Sequence, residues 1–266
     1  MTTAASASMA RFRALHESGC FVMPNPFDVG SARLLEAMGF EALATTSSGF
    51  AATLGRADMS VTLDELVTHT AAVAGAVDVP VNVDAERCFG ETLVQVTAAV
   101  AAIARAGAAG CSIEDWNPMT GAIDPIGLAA ERVEAATGSG TGIVVTARCE
   151  DLLRGVDDLD DVVARLRAYR DAGADVVYAP GLRTMADVER VVAATDAPVN
   201  VVAVPGGPSV DELAAAGVRR ISVGGRLLRT AYGAVVDAAS ALRTTGALPV
   251  DLPAVPADLA ERAFLR

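Results

Sequence analysis

Two textures alternate along the chain. Short runs rich in Val, Ile and Ala stand at 20–24, 41–46, 79–86, 109–115, 142–148, 174–180, 197–203 and 218–224, and each reads as a strand. Longer stretches between them, such as TLDELVTHTAAVAGA, TLVQVTAAVAAIARAG and LDDVVARLRAYRDAG, carry apolar residues at helical spacing. A further helical stretch, around 8–18, precedes the first strand. Several helices stop at a glycine just before the next strand, as in EAMG-F, ARAG-A, RDAG-A and AAAG-V. The strands do not alternate apolar with polar positions, which is the texture of a parallel sheet buried on both faces.

Eight such βα units predict an α/β fold, a (β/α)8 TIM-type barrel over residues 1–245. The rival is a doubly wound open sheet, but no Gly-x-Gly-x-x-Gly follows the first strand. A long helix continues past the eighth strand. Residues 246–266 then form a Pro-interrupted extension with a short terminal helix, expected to pack on its own or a neighbouring subunit.

Composition narrows the chemistry. All 21 basic residues of this 266-residue chain are Arg, so Schiff-base catalysis and a Gly-Lys-Ser/Thr phosphate loop are both excluded. The two histidines, His16 and His69, are too few for a multi-histidine zinc site. A net charge of −12 without any basic run argues against nucleic acid as a partner. Cys20, Cys88, Cys111 and Cys149 stand singly, and the first residues lack a continuous apolar core of a signal peptide. A cytoplasmic protein with no membrane partner is the expectation.

The charged residues on the strands carry the sharper signal. Asp84 and Glu86 share one face at the end of the third strand; Glu114 and Asp115 end the fourth; Arg148 and Glu150 end the fifth; Asn200 lies on the seventh. All stand at C-terminal strand ends, the face on which barrels of this kind build active sites. Carboxylates crowded into one mouth repel unless a cation lies between them, and an oxygen-only donor set favours Mg2+ or Mn2+. The alternative is that the acids pair with arginines, Arg148 with Glu150 or Glu114 and Arg87 with Glu86. Thr45-Thr46-Ser47-Ser48-Gly49-Phe50 could hold a substrate carboxylate, although Ser-Ser-Gly is also an ordinary turn.

These segments resemble the isocitrate lyase / phosphoenolpyruvate mutase superfamily. The resemblance is carried in order by PNPFDVGSARLLEAMGF (24–40), ATTSSGFAATLGRAD (44–58), PVNVDAERCFGE (80–91), AGCSIED (109–115), VVTARCE (144–150), AGADVVYAPGL (172–182) and the stretch from PVNVVAVPGG to LLRTAYGA (198–234). It implies a barrel assembled as a dimer of dimers, with a C-terminal helix exchanged between subunits. It also implies Mg2+ held by Asp58, Asp84, Glu86 and Glu114, and a 2-oxo or 2-hydroxy acid substrate passing through a pyruvate-enolate-like species. The substrate carboxylate and 2-oxygen would lie against Ser48, Gly49 and Phe50, with Arg148 as a further anion partner.

Departures from the family pattern sharpen the expectation. Lyases of the isocitrate and methylisocitrate type carry a Lys-(Lys/Arg)-Cys-Gly-His loop whose Cys protonates the enolate, and this chain has none. The phosphonate-forming mutases carry an Asp-x-x-Phe-Pro-Lys-x-Asn gate, where this chain has a short Lys-free stretch from Asp115 to Asp124. Relatives usually have Gly-Tyr-Gly where this chain has Cys88-Phe89-Gly90. The candidate proton donors are Cys88, whose thiol reads first as a small filler for the missing glycine, and Tyr178, which reads equally as a rim packing residue. The reading is a Mg2+-dependent carbon–carbon lyase or decarboxylase using Arg148, Glu114, Cys88 and Tyr178 as catalytic groups and Asn200 among its substrate contacts. Phosphorus–carbon chemistry and a non-catalytic scaffold are the alternatives.

Overall fold

The computed structural model describes residues 3–265. Each of the eight expected runs contains a strand: β1 (Phe21–Met23), β2 (Leu43–Ala44), β3 (Val81–Asp84), β4 (Gly110–Glu114), then, after β5 (Trp116–Asn117) and β6 (Ala122–Ile123), β7 (Val144–Arg148), β8 (Val176–Tyr178), β9 (Val199–Val202) and β10 (Arg220–Ser222). Eight of them form one parallel sheet in the order β1-β10-β9-β8-β7-β4-β3-β2. The backbone hydrogen bond from Ala44 N–H to the Pro24 carbonyl, 3.1 Å, draws the two edge strands together, so the barrel is nearly closed. The short antiparallel pair β5–β6 lies outside this sheet and was not expected from the sequence.

Helices α1 (Thr3–Ala14), α2 (Val29–Ala37), α3 (Ser47–Thr53), α4 (Leu63–Ala74), α5 (Leu93–Arg105), α6 (Ile126–Thr137), α7 (Leu159–Asp171), α8 (Met185–Thr195), α9 (Val210–Ala215), α10 (Arg226–Thr245) and α11 (Ala257–Phe264) complete the chain. Local chemistry sets their ends. Thr62 with Glu65, Thr92 with Gln95, and Ser209 with Glu212 form capping boxes that start α4, α5 and α9. Gly39, Gly107, Gly173 and Gly217, the four stops read from the sequence, all take left-handed backbone with φ near +90 to +102°. The second strand shrinks to Leu43–Ala44 because Thr46 becomes the N-cap of α3.

Helix α1 lies across the N-terminal ends of the strands. Phe12 abuts Gly110 at the start of β4, and His16 meets Phe21 edge-on at 5.0 Å. The opposite end is left open for chemistry. Helix α11, the short terminal helix expected in the extension, packs on α2 of the same chain. Among the described residues no helix is long and apolar enough to cross a membrane.

Candidate active site

Register brings the charged strand ends together. Glu114, Arg148 and Tyr178 lie side by side on β4, β7 and β8, and Asp84 on β3 stands beside Ser112 on β4. Arg148 is the hub: its Nη1 is 3.3 Å from Glu114 and 3.7 Å from Asp84, while Nε is held by Glu150. Burial works against the Arg148 charge, but Glu114, Glu150 and Asp84 outweigh it and keep the guanidinium protonated. Burial pushes Glu114 well above the usual carboxylate range, against the pull of Arg148.

Glu86 lies in a tight turn beyond β3, where Glu86, Cys88 and Phe89 all have φ between +49 and +60°. Left-handed backbone at non-glycine residues persists only where the surroundings impose it. Buried Arg132 on α6 does so, donating from Nη2 to the carbonyls of Arg87 (2.6 Å) and Gly90 (2.7 Å). Arg87 does not pair with Glu86; it turns away to Asp124, at 2.7 Å, and to Glu91. Glu86 is 7% exposed, and its Oε1 has no hydrogen-bond partner. Burial, then Asp84 and Asp58, push its carboxyl up to about 8.

Asp84, Glu114 and Glu150 share one guanidinium, and a buried Glu86 oxygen is left unsatisfied; a hard divalent ion would answer both conditions. Asp58 belongs at the rim, on an exposed loop that lines the same cavity as Asp84 and Arg148. That cavity, about 360 Å³, opens at the C-terminal end of the barrel.

The second strand's hydroxyls are partly committed. Ser47 N–H donates to Asp84 at 3.0 Å and so fixes that carboxylate. Because α3 starts at Ser47, the amides of Gly49 and Phe50 are used on Thr46, and Phe50 is buried with its ring stacked 3.9 Å from His69. Ser48 faces the cavity; Gly49 and Phe50 do not line it. His69, on α4, is buried by that stacking. Asn200 is buried beneath the mouth, accepting from Arg220 and donating to Ser222.

Of the two candidate proton donors, Tyr178 lines the cavity, its ring 5.6 Å from the Arg148 guanidinium carbon. Burial raises the phenol to about 12 although Arg148 lowers it, so the group is protonated near neutrality. Cys88 is wholly buried in the apolar core, where burial pushes its thiol up to about 12.

A model of the family described as phosphoenolpyruvate phosphomutase matches residues 12–243, nearly the whole barrel. The chain belongs to the phosphoenolpyruvate phosphomutase family. Among its relatives, a probable 2-methylisocitrate lyase 2 of Corynebacterium glutamicum is 34% identical over 66% of this chain and 60% of its own length. The chain thus matches under two thirds of that relative. An oxaloacetate decarboxylase of Paraburkholderia xenovorans is 30% identical over 90% of this chain and 83% of its own. A crystal structure from Burkholderia cenocepacia J2315, described only as a lyase or mutase, superposes with a TM-score of 0.93 at 43% identity, covering 99% of this chain and 98% of the other.

A second cluster in this phosphomutase-family barrel is placed differently. Asp115, Cys149 and Asp151 bring potential ligand atoms within 4.8 Å of one another. Asp115 already accepts from Glu150 N–H, Tyr169 Oη and Arg165, and Arg165 also lies 3.4 Å from Asp151. Burial holds the Cys149 thiol far above its ordinary value, hence neutral. Asp115 is satisfied by these donors, whereas Asp151 Oδ2 has no hydrogen-bond partner; the cluster ties the ends of β4 and β7 to α7. Arg183, Arg226 and Arg229 also line the main cavity, and the sequence reading did not single them out. They follow β8 and β10 on segments whose path only the fold reveals.

Proposed function

We propose that the protein is a divalent-metal-dependent carbon–carbon lyase or decarboxylase. Its substrate is a small 2-oxo or 2-hydroxy di- or tricarboxylate, cleaved through a pyruvate-enolate-like species to release pyruvate or a related 2-oxo acid. A lyase of the isocitrate lyase/phosphoenolpyruvate mutase type is the class to which the relatives' names point. The observation that carries the reading is the convergence of Asp84 and Glu114 on Arg148, with Glu86 buried close by, its carbonyl accepting from Glu114 N–H and one of its carboxyl oxygens left over.

Asp84, Glu86 and Glu114, with Asp58 at the rim, would hold Mg2+ or Mn2+, a source of fixed positive charge for an enolate oxygen. Arg148 remains charged beside these acids and presents a planar fork to a carboxylate or enolate oxygen, so developing negative charge meets a group already in place. Ser47 N–H and Ser112 Oγ orient Asp84. Ser48 offers a hydroxyl to the bound acid. Tyr178, protonated and on the cavity wall, is positioned to deliver the proton that quenches the enolate carbon.

Turnover decides this. Purified protein with Mg2+ is incubated separately with oxaloacetate, methylisocitrate, dimethylmalate and phosphonopyruvate, and 2-oxo acid and phosphate release are followed. The expected result is 2-oxo acid without phosphate, dependent on Mg2+ or Mn2+. Asp84→Ala and Arg148→Ala should each lower kcat/KM by on the order of 10²-fold or more. Full activity in both variants would sink the assignment, and phosphate release would move it to phosphorus–carbon chemistry.

A further inference from the structure

One register line crosses five neighbouring strands, through Glu114 on β4, Arg148 on β7, Tyr178 on β8, Asn200 on β9 and Arg220 on β10. The first three belong to the mouth, whereas Asn200 and Arg220 are buried beneath it. Barrels of this kind fill their interior layers mainly with branched aliphatic side chains. Arg220 puts a guanidinium there, and among the described residues no carboxylate lies within 4 Å of it. A cation buried without a counter-charge is costly, and a hydrocarbon of similar size would fill the space more cheaply. Packing alone gives no reason for it.

The contacts of Arg220 have a direction. Its Nε donates to Asn200 Oδ1 at 2.9 Å and its Nη2 to Thr146 Oγ1 at 2.9 Å, while Nη1 faces His16 Nε2 at 3.4 Å. A guanidinium has donors and no acceptor, so it dictates which end of the Asn200 amide it meets. The amide nitrogen is thereby turned to Ser222 Oγ, to which it donates at 3.1 Å. Ser222 Oγ accepts from Asn200 and keeps its own proton to give. It stands beside the Tyr178 phenol, close enough to favour the ionised form of that group. The chain of donors therefore points one way, from Arg220 to Tyr178 Oη. The same four residues help to wall a chamber of about 50 Å³, which meets the main cavity at Asp84 and Arg148. Burial lowers Arg220 to about 9, so it stays charged at neutrality, and the ionised form of Tyr178 is the charge that favours it.

Resting on the reading of Tyr178 as proton donor, we infer that Arg220 is a positioning residue. Through Asn200 and Ser222 it directs a donated hydrogen bond onto Tyr178 Oη, so that the phenol's own proton is turned toward the substrate carbon. When the carbon–carbon bond breaks, its electron pair stays on that carbon as the enolate. Tyr178 gives its proton to the carbon, the Ser222 hydroxyl holds the resulting phenolate, and a water from the cavity returns the proton before the next turnover.

The test follows CO2 and pyruvate together during turnover of oxaloacetate with Mg2+. Pyruvate is read with lactate dehydrogenase, which reduces the keto form. In wild type the two products should appear together. In Arg220→Met and Ser222→Ala the enol should leave unprotonated, so that pyruvate lags behind CO2 and its formation slows on the order of tenfold, part of the 10²–10⁴-fold that a positioned general acid contributes. A merely structural Arg220 would slow both products in step. Arg220→Lys, which keeps a cation that only donates, should restore part of the coupling. Ser222→Ala decides alone if Arg220→Met does not fold, and simultaneous release of the two products in that variant overturns the proposal. A second readout needs no turnover. In protein labelled with [ζ-13C]tyrosine, the Tyr178 resonance, assigned with Tyr178→Phe, should shift in Ser222→Ala and Arg220→Met while those of Tyr169 and Tyr232 stay in place. An unmoved Tyr178 resonance also overturns the proposal. A shifted resonance in a protein that turns over none of the four substrates would count against the lyase reading alone; turnover with the resonance unmoved would count against the positioning role alone.

Discussion

At the scale of single residues, Glu86 is where the fold and the proposed chemistry oppose each other. Its backbone is left-handed, its carboxyl is buried beside Asp84, and one oxygen has no partner. Each of these costs stability, on the order of 1–3 kcal/mol for backbone strain of this kind. Glu86→Gln removes the cost of burying an ionisable carboxyl beside Asp84 and keeps the shape. The variant should therefore melt higher than wild type in EDTA, yet gain less when Mg2+ is added. Wild type at a metal concentration a hundred times Kd should gain about 2.7 kcal/mol. A Mg2+-induced rise in Tm equal to that of wild type would remove Glu86 from the ligand set. Position alone made Asp84, Glu114 and Arg148 legible in the sequence, because strand ends of a barrel face one mouth. The orientation of Glu86 was less legible. It depends on Arg132, 46 positions further on, reaching back to hold the turn that carries Cys88 and Phe89.

At the scale of elements, helix α1 closes the N-terminal end of the barrel with a polar contact buried under the apolar core. His16 Nδ1–H donates to the Phe12 carbonyl at 2.8 Å, which leaves Nε2 as the acceptor facing Arg220 Nη1 at 3.4 Å. Arg220 is fully buried without a carboxylate, held by Asn200 and Thr146. Burial, then the Arg220 charge, lowers His16 from 6.5 to about 3. Between those two values the unfolded chain binds a proton that the native chain does not. The contribution of His16 is therefore intact above pH 6.5 and is lost progressively as pH falls, at a rate approaching about 1.4 kcal/mol per pH unit. In His16→Gln the fall of Tm from pH 6.5 to 4.5 should be shallower than in wild type; parallel curves would show that the histidine titrates normally. The strands, the helices and the glycine stops were legible because periodicity and punctuation repeat eight times. The β5–β6 pair was not, since two-residue strands carry no period, and neither was α3, whose Ser-Ser-Gly start reads equally well as a turn.

At the scale of the whole molecule, the open question is what covers α10. Tyr232, Val235 and Val236 lie at i, i+3 and i+4 on this helix and are 43%, 65% and 62% exposed. They form an apolar stripe on a 20-residue helix that otherwise has little buried surface, Leu228 being its one fully buried side chain among the described residues. A stripe of this size facing water is costly unless another surface meets it. The resemblance implies assembly of several copies, and α10 leads directly into the exposed, Pro-interrupted stretch 246–256 before α11 returns to α2. Exchange of α11 between subunits would preserve the same α11–α2 contact while joining two barrels. We therefore expect a homo-oligomer with α10 at its interface. Sedimentation velocity at micromolar concentration should show a species larger than 27.1 kDa. Val235→Glu/Val236→Glu should sediment as the monomer, because charges on that face would have to be buried unpaired to assemble. A wild type that is monomeric throughout, or a double variant that assembles unchanged, would remove α10 from the interface and leave its apolar stripe without a partner.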